Sequence, residues 1–118
     1  MALTVYHYPN CSTCKKALAW LAANKVAHTA IDIVKSPPTT AQLAAAARLA
    51  GVPVKQMFNI AGVSYREGDF KAKLPAMTDA QAFAALAADG KLIKRPLAVS
   101  DTAALVGFRE AAWADALT

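Results

Sequence analysis

The chain opens on a run in which apolar and polar side chains alternate, Leu3-Thr4-Val5-Tyr6-His7-Tyr8, the period of a strand with one face buried. Beyond Pro9-Asn10-Cys11 the period changes. From Ser12 to Asn24 the apolar residues Ala17, Leu18, Leu21 and Ala22 recur at helical spacing, which predicts a strand running directly into a helix. Ala27 to Val34 alternates again, and the helix between is long enough to serve as the crossover of two parallel strands. This opening stretch reads as a βαβ unit.

Pro37-Pro38 closes the second strand. Thr39, with Gln42 three residues on, is a capping-box signature ahead of a helix over Ala41 to Ala50 that stops at Gly51. A short helical turn is expected at Pro53 to Phe58. Asn59 to Lys73, with Gly62 and Gly68, holds no sustained period and predicts loop with one further helical turn. Thr78 with Gln81 repeats the capping box ahead of Ala80 to Ala88, which Asp89-Gly90 terminates. Leu92-Ile93 then predicts a strand, followed by a Pro-interrupted turn, a hairpin of Leu97 to Ser100 with Ala103 to Val106, and a last helix over Glu110 to Leu117. The order is βαβ, helices, ββα, an α/β layer architecture with a helical insert between two halves of a mixed sheet. No repeat or linker interrupts it, so residues 1–118 are expected to form one domain.

Composition narrows the function classes. Hydrophobic residues make up 56% and charged residues 18%, and the alanine runs suit closely packed helices. The net charge of +5 comes from 13 basic against 8 acidic residues, scattered except at Lys15-Lys16 and Lys91 to Arg95. Nucleic-acid binders cluster such residues along one face with aromatics, so no nucleic-acid partner is expected. The first residues lack a basic start and are broken by His7 and Pro9, which reads as a strand rather than a signal peptide, and no apolar run approaches membrane-spanning length. A reversible dithiol at a βα turn then points to the cytoplasm.

The chemistry concentrates at Cys11-Ser12-Thr13-Cys14, which holds the only two cysteines and lies where strand becomes helix. Free N–H groups and partial positive charge at a helix start favour a thiolate. Cys11 is the candidate nucleophile, supported by Lys15 and His7; the alternative is a small buried hydrophobe. Cys14, one turn on, either resolves a mixed disulfide or packs inward. Lys15 and the N–H groups of Ser12, Thr13 and Cys14 suit an oxyanion. His7 either tunes the sulfur or is a polar residue satisfied in the sheet. A metal held by the cysteines with His7 and His28 lacks any recognised ligand spacing, and no metal is expected. Arg95 offers a bidentate fork to an oxyanion or a carboxylate, whereas Lys16, Lys91 and Lys94 read as solvated surface.

Taken together, Tyr6-His7-Tyr8-Pro9-Asn10-Cys11-Ser12-Thr13-Cys14-Lys15-Lys16-Ala17, Pro37-Pro38-Thr39, Phe58-Asn59 with Gly62 and Ser64-Tyr65-Arg66-Glu67, Lys94-Arg95-Pro96 and Val106-Gly107-Phe108 resemble the arsenate reductase-like (ArsC) family. That family includes glutaredoxin-dependent arsenate reductases, Spx and MgsR-type regulators of RNA polymerase, and the YffB-type group. The resemblance implies a thioredoxin-like fold with a central mixed β-sheet, flanking helices and a helical insertion. It places Pro96 as a cis proline opposite the cysteines, with Arg95 beside the thiol. It implies Cys11 attacking an oxyanion or mixed disulfide, no bound cofactor, and glutathione or glutaredoxin as the external reductant. An Spx-like alternative makes Cys11 and Cys14 a dithiol switch that docks on the RNA polymerase α subunit. The sequence departs from the reductases' Cys-x-x-Ser-Arg pattern at Cys14 and Lys15. It also lacks their arginines at the matching positions near Asn59 to Ala61 and Val106 to Phe108; Arg66 and Arg109 lie only nearby.

Overall fold

Alternation in the first strand, β1 (Thr4–His7), sends Val5 and Tyr6 to opposite faces, and the rest of the fold covers those two faces. The structure, a computed structural model, describes residues 3–118. After β1 come α1 (Ser12–Ala23) and β2 (Thr29–Asp32), which lies parallel to β1 with Val5 opposite Ala30. The chain continues through α2 (Thr40–Ala50), a 3₁₀ turn at Val54–Met57, α3 (Val63–Glu67), α4 (Phe70–Lys73), a second 3₁₀ turn at Leu74–Ala76, and α5 (Asp79–Ala88). It closes with β3 (Leu97–Val99), β4 (Ala104–Val106) and α6 (Glu110–Leu117). The four-stranded sheet has the order β2-β1-β3-β4, with β3 antiparallel to both its neighbours.

One face of this sheet packs on α1 and α6 through Leu3, Val5, Ala17, Leu21, Ala98 and Trp113. The other packs on α2, α5 and the insert through Tyr6, Ile33, Leu43, Met57, Phe58, Leu86 and Leu97. Adjacent residues again divide between the faces, Leu97 to the second and Ala98 to the first. Each large side chain fully buried in this way contributes about 1.5–3 kcal/mol of transfer free energy.

Both capping boxes form. Thr39 Oγ1 accepts from the Gln42 N–H while Gln42 Oε1 accepts from the Thr39 N–H, and Thr78 with Gln81 repeats the pair. Two expectations are corrected. Asn59 to Lys73 is not loop with one turn; it holds both α3 and α4, because Phe58, Tyr65 and Phe70 meet ring to ring with centroids 5.6–6.3 Å apart and fold the segment over the core. Leu92-Ile93 is not a strand. Gly90–Leu92 is a 3₁₀ turn, and Ile93 makes only an isolated bridge to Phe58 outside the sheet. The cause is contact: any Cβ on Gly90 would strike the Ile33 carbonyl, so the chain turns tightly against the end of β2.

Candidate active site

The reactive turn is built by its own backbone. The Tyr8 carbonyl accepts the Cys11 N–H at 3.0 Å, and the Cys11 carbonyl accepts the Lys15 N–H at 3.1 Å as α1 begins. Cys11 is the N-cap, extended at φ −98° and ψ 114°, and its Sγ accepts the Cys14 N–H at 3.2 Å. The sulfur therefore takes the place that a Ser, Thr or Asp oxygen usually fills at a helix start. Cys11 is half-buried, whereas Cys14, on the inner side of the same turn, is fully buried. Burial, with a hydrogen bond to the Cys11 side chain, pushes the Cys14 thiol up to about 12, against weaker lowering by the Tyr8 backbone and the Arg95 charge.

Opposite this turn, the Arg95-Pro96 peptide bond is cis and Pro96 is fully buried. The Arg95 guanidinium lies over the Tyr8 ring, 4.8 Å from its centroid, and its Nη1 donates to the Lys91 carbonyl at 3.2 Å. Its Nε is buried without a hydrogen-bond partner. The Pro96 carbonyl accepts the Gly107 N–H at 2.9 Å, which ties the β4–α6 turn to the cis proline. Gly107 has φ +74°, a conformation that favours glycine, and its carbonyl accepts the buried Trp113 Nε1–H at 3.0 Å.

Between these pieces lies a cleft of about 410 Å³ lined by Cys11, Thr13, Asn59, Lys94, Arg95 and residues 106–109. Lys94, Arg95 and Arg109 give it three cationic side chains, and among the described residues none that lines it is acidic. Of the residues expected from sequence, Cys11, Thr13 and Arg95 line the cleft, whereas Pro96, fully buried next to Arg95, does not. Ser12 and Lys15 are exposed on the first turn of α1, outside these walls. His7 sits in β1 opposite Asp32, whose carboxyl is held below the usual carboxylate range by the Lys35 and Val34 N–H groups, with smaller help from the Lys35 and His7 charges. Asn59, Lys94 and Arg109 line the cleft too, although sequence reading assigned Asn59 no role, set Lys94 down as solvated surface and counted Arg109 as lying only near an expected arginine position. The signal was there for two of them: Lys94 stands in the Lys94-Arg95-Pro96 motif, and Arg109 follows directly on Val106-Gly107-Phe108.

An anion about 4 Å from one such cation gains about 1 kcal/mol in bulk-like water and about 4 kcal/mol at an effective dielectric constant near 20. The arrangement suits an attacking sulfur beside a bound anion. Among the described residues no group of three or more His, Cys, Asp or Glu side chains is placed to hold a metal ion, and no helix is long and apolar enough to cross a membrane.

The ArsC family model matches residues 6–116. The uncharacterized protein YusI of Bacillus subtilis is 41% identical over 110 residues, 93% of each chain, and the arsenate reductase of Rhizobium meliloti is 31% identical over 103 residues, 85% of this chain and 70% of that one. The crystal structure of an ArsC family related protein from Bacteroides fragilis superposes with a TM-score of 0.94 at 44% identity, covering 98% of this chain and 97% of its own. The mixed sheet is accordingly a thioredoxin-like fold. With the family match spanning nearly the whole sequence, the chain belongs to the ArsC family.

Proposed function

We propose that the protein is a thiol oxidoreductase in which Cys11 is the nucleophile and an external thiol, glutathione or glutaredoxin, completes the cycle. The observation that carries this reading is the placing of Cys11 Sγ at the wall of a cationic cleft, faced by the Cys14 N–H and across from Arg95. Hydrogen-bond donors there meet the sulfur in the state in which it attacks or leaves with negative charge. On a mixed disulfide, Cys11 bonds to one sulfur and the other departs as a thiolate. The external thiol then attacks the new disulfide, frees Cys11 and is itself oxidised. On arsenate, the oxyanion suggested by the Rhizobium relative's name, the sulfur displaces water at the central atom and glutathione supplies the electrons.

Cys14 serves this chemistry as a protonated neighbour. Burial, which pushes its thiol up to about 12, disfavours the thiolate that resolution by Cys14 would need. The cleft of about 410 Å³ has room for a small organic ligand, whose sites run from about 300 to 1,000 Å³.

A second reading follows from the Cys14 N–H that donates to Cys11 Sγ at 3.2 Å and holds the two cysteines on one turn. Two cysteines one helical turn apart are placed for a disulfide, which supports an MgsR- or Spx-like switch docking on the RNA polymerase α subunit. Turnover of arsenate and of a glutathione mixed disulfide, with glutathione and glutaredoxin, tests the first reading on wild type, Cys11→Ser and Cys14→Ser. The expected result is loss of activity in Cys11→Ser and its retention in Cys14→Ser; equal loss in both sinks the external-thiol reading. A pull-down with the α subunit's C-terminal domain, oxidised against reduced, tests the second. No capture in either state removes it.

A further inference from the structure

The outer edge of β4 is open. Its inner edge pairs with β3, where Gly107 N–H donates to the Pro96 carbonyl and Ser100 N–H donates to the Ala103 carbonyl, with Ala98 opposite Leu105 between them. In an antiparallel ladder the alternate residues then turn their N–H and C=O groups the other way, so those of Ala104 and Val106 point outward. Among the described residues no strand pairs with that edge. The strand also lacks the charged side chain or proline that commonly guards a free edge.

Along the same edge runs a groove of about 580 Å³, walled by Ala104, Val106 and the exposed Ile60, 63% of whose surface is accessible. Its cations are Lys55, Lys94 and Arg109, and among the described residues none that lines it is acidic. Lys94, Val106, Gly107 and Arg109 also line the Cys11 cleft, so the groove leads into the reactive turn.

We infer that this groove docks an extended acidic segment of a partner protein, which adds to β4 as a further strand and delivers a disulfide to Cys11. Unpaired edge groups supply main-chain hydrogen bonds, and alternate side chains of the segment meet apolar wall and basic rim. A second copy of this chain is the wrong occupant electrostatically, because it carries a net charge of +5 to a basic rim. The inference rests on the thiol-exchange reading for its direction. On docking, the Cys11 thiolate bonds to the segment's sulfur and the displaced thiolate takes up a proton.

The test uses a fluorescein-labelled peptide of alternating Glu and Val with one cysteine capped as its methyl disulfide, and a counterpart with Gln for every Glu. Binding is read by anisotropy on Cys11→Ser protein, in which serine remains a good helix cap and no exchange occurs. The Gln peptide is expected to bind about tenfold more weakly. Ala104→Pro, which removes an outward N–H and fixes φ in the strand, and Lys55→Glu are each expected to weaken the Glu peptide about fivefold. Equal binding of the two peptides, or indifference to both substitutions in proteins with unchanged circular dichroism, overturns the inference. So does a concentration-dependent dimer that Ala104→Pro abolishes, since the occupant would then be a second copy. On wild type, mass spectrometry reads the Cys11–peptide disulfide with loss of methanethiol. Docking without that product upholds the groove and overturns the thiol-exchange reading instead.

Discussion

Burial separates the two sulfurs of the reactive turn. Cys14 loses its water and with it the stability of the thiolate, so its folded pKa of about 12 stands above the ordinary value of 9.0. A raised acid pKa contributes stability that is fully present below pH 9 and is lost as pH rises towards 12, because the unfolded chain gives up the proton first. Cys14→Ala removes that dependence. Urea unfolding is therefore expected to show wild type losing more stability than Cys14→Ala between about pH 7 and about pH 10.5, with other titrating groups cancelling in the difference. Parallel losses would show that Cys14 is not held as the neutral thiol. The sequence presented both alternatives for Cys14, inward packing or resolution, and could not choose. One helical turn fixes spacing, but burial of Cys14 is fixed only once the closed fold surrounds the turn.

The elements legible in the sequence are those whose signals are local. Thr39 with Gln42 and Thr78 with Gln81 announce α2 and α5, because a capping box is closed by residues three apart and needs nothing from elsewhere. Thr39→Ala leaves the Gln42 N–H without its side-chain acceptor and is expected to cost about 1 kcal/mol, read as a lowered urea midpoint at unchanged slope. No change would mean that tertiary packing alone holds the start of α2. The insert was not legible for the opposite reason. α3 and α4 are each under two turns, too short for a hydrophobic period to register, and their stability comes from Phe58, Tyr65 and Phe70 meeting across intervening chain. Leu92-Ile93 misled in the same way: its apolar pair is buried against the insert, not against a neighbouring strand.

At the scale of the molecule, the cleft is assembled from residues 11–13, 59, 94–95 and 106–109, which only the closed fold brings together. The cysteine turn and Arg95-Pro96 could be read from motif and family resemblance. Arg109 was legible only as an arginine near an expected position, because its place in the cleft depends on how the core holds the β4–α6 turn. Trp113 is the link: it is fully buried, meets Phe108 and Trp20 edge to face at 5.0 and 6.2 Å, and anchors the Gly107 carbonyl through Nε1. Trp113→Phe keeps an aromatic ring but leaves that buried carbonyl unpaired and some volume empty, for an expected loss of about 2–4 kcal/mol in urea unfolding. Domains of this kind are stable by about 5–15 kcal/mol, so the variant is expected to remain folded at 25 °C. Cys11 is placed by β1 and α1, not by this turn, and its iodoacetamide alkylation rate is therefore expected to match wild type. Arg109 loses its fixed position, and the KM for an anionic disulfide is expected to rise by more than kcat falls. If alkylation slows as much as turnover does, the two halves of the cleft are not independent and the disturbance has travelled through the sheet. If KM stays at the wild-type value in folded protein, Arg109 does not hold the substrate.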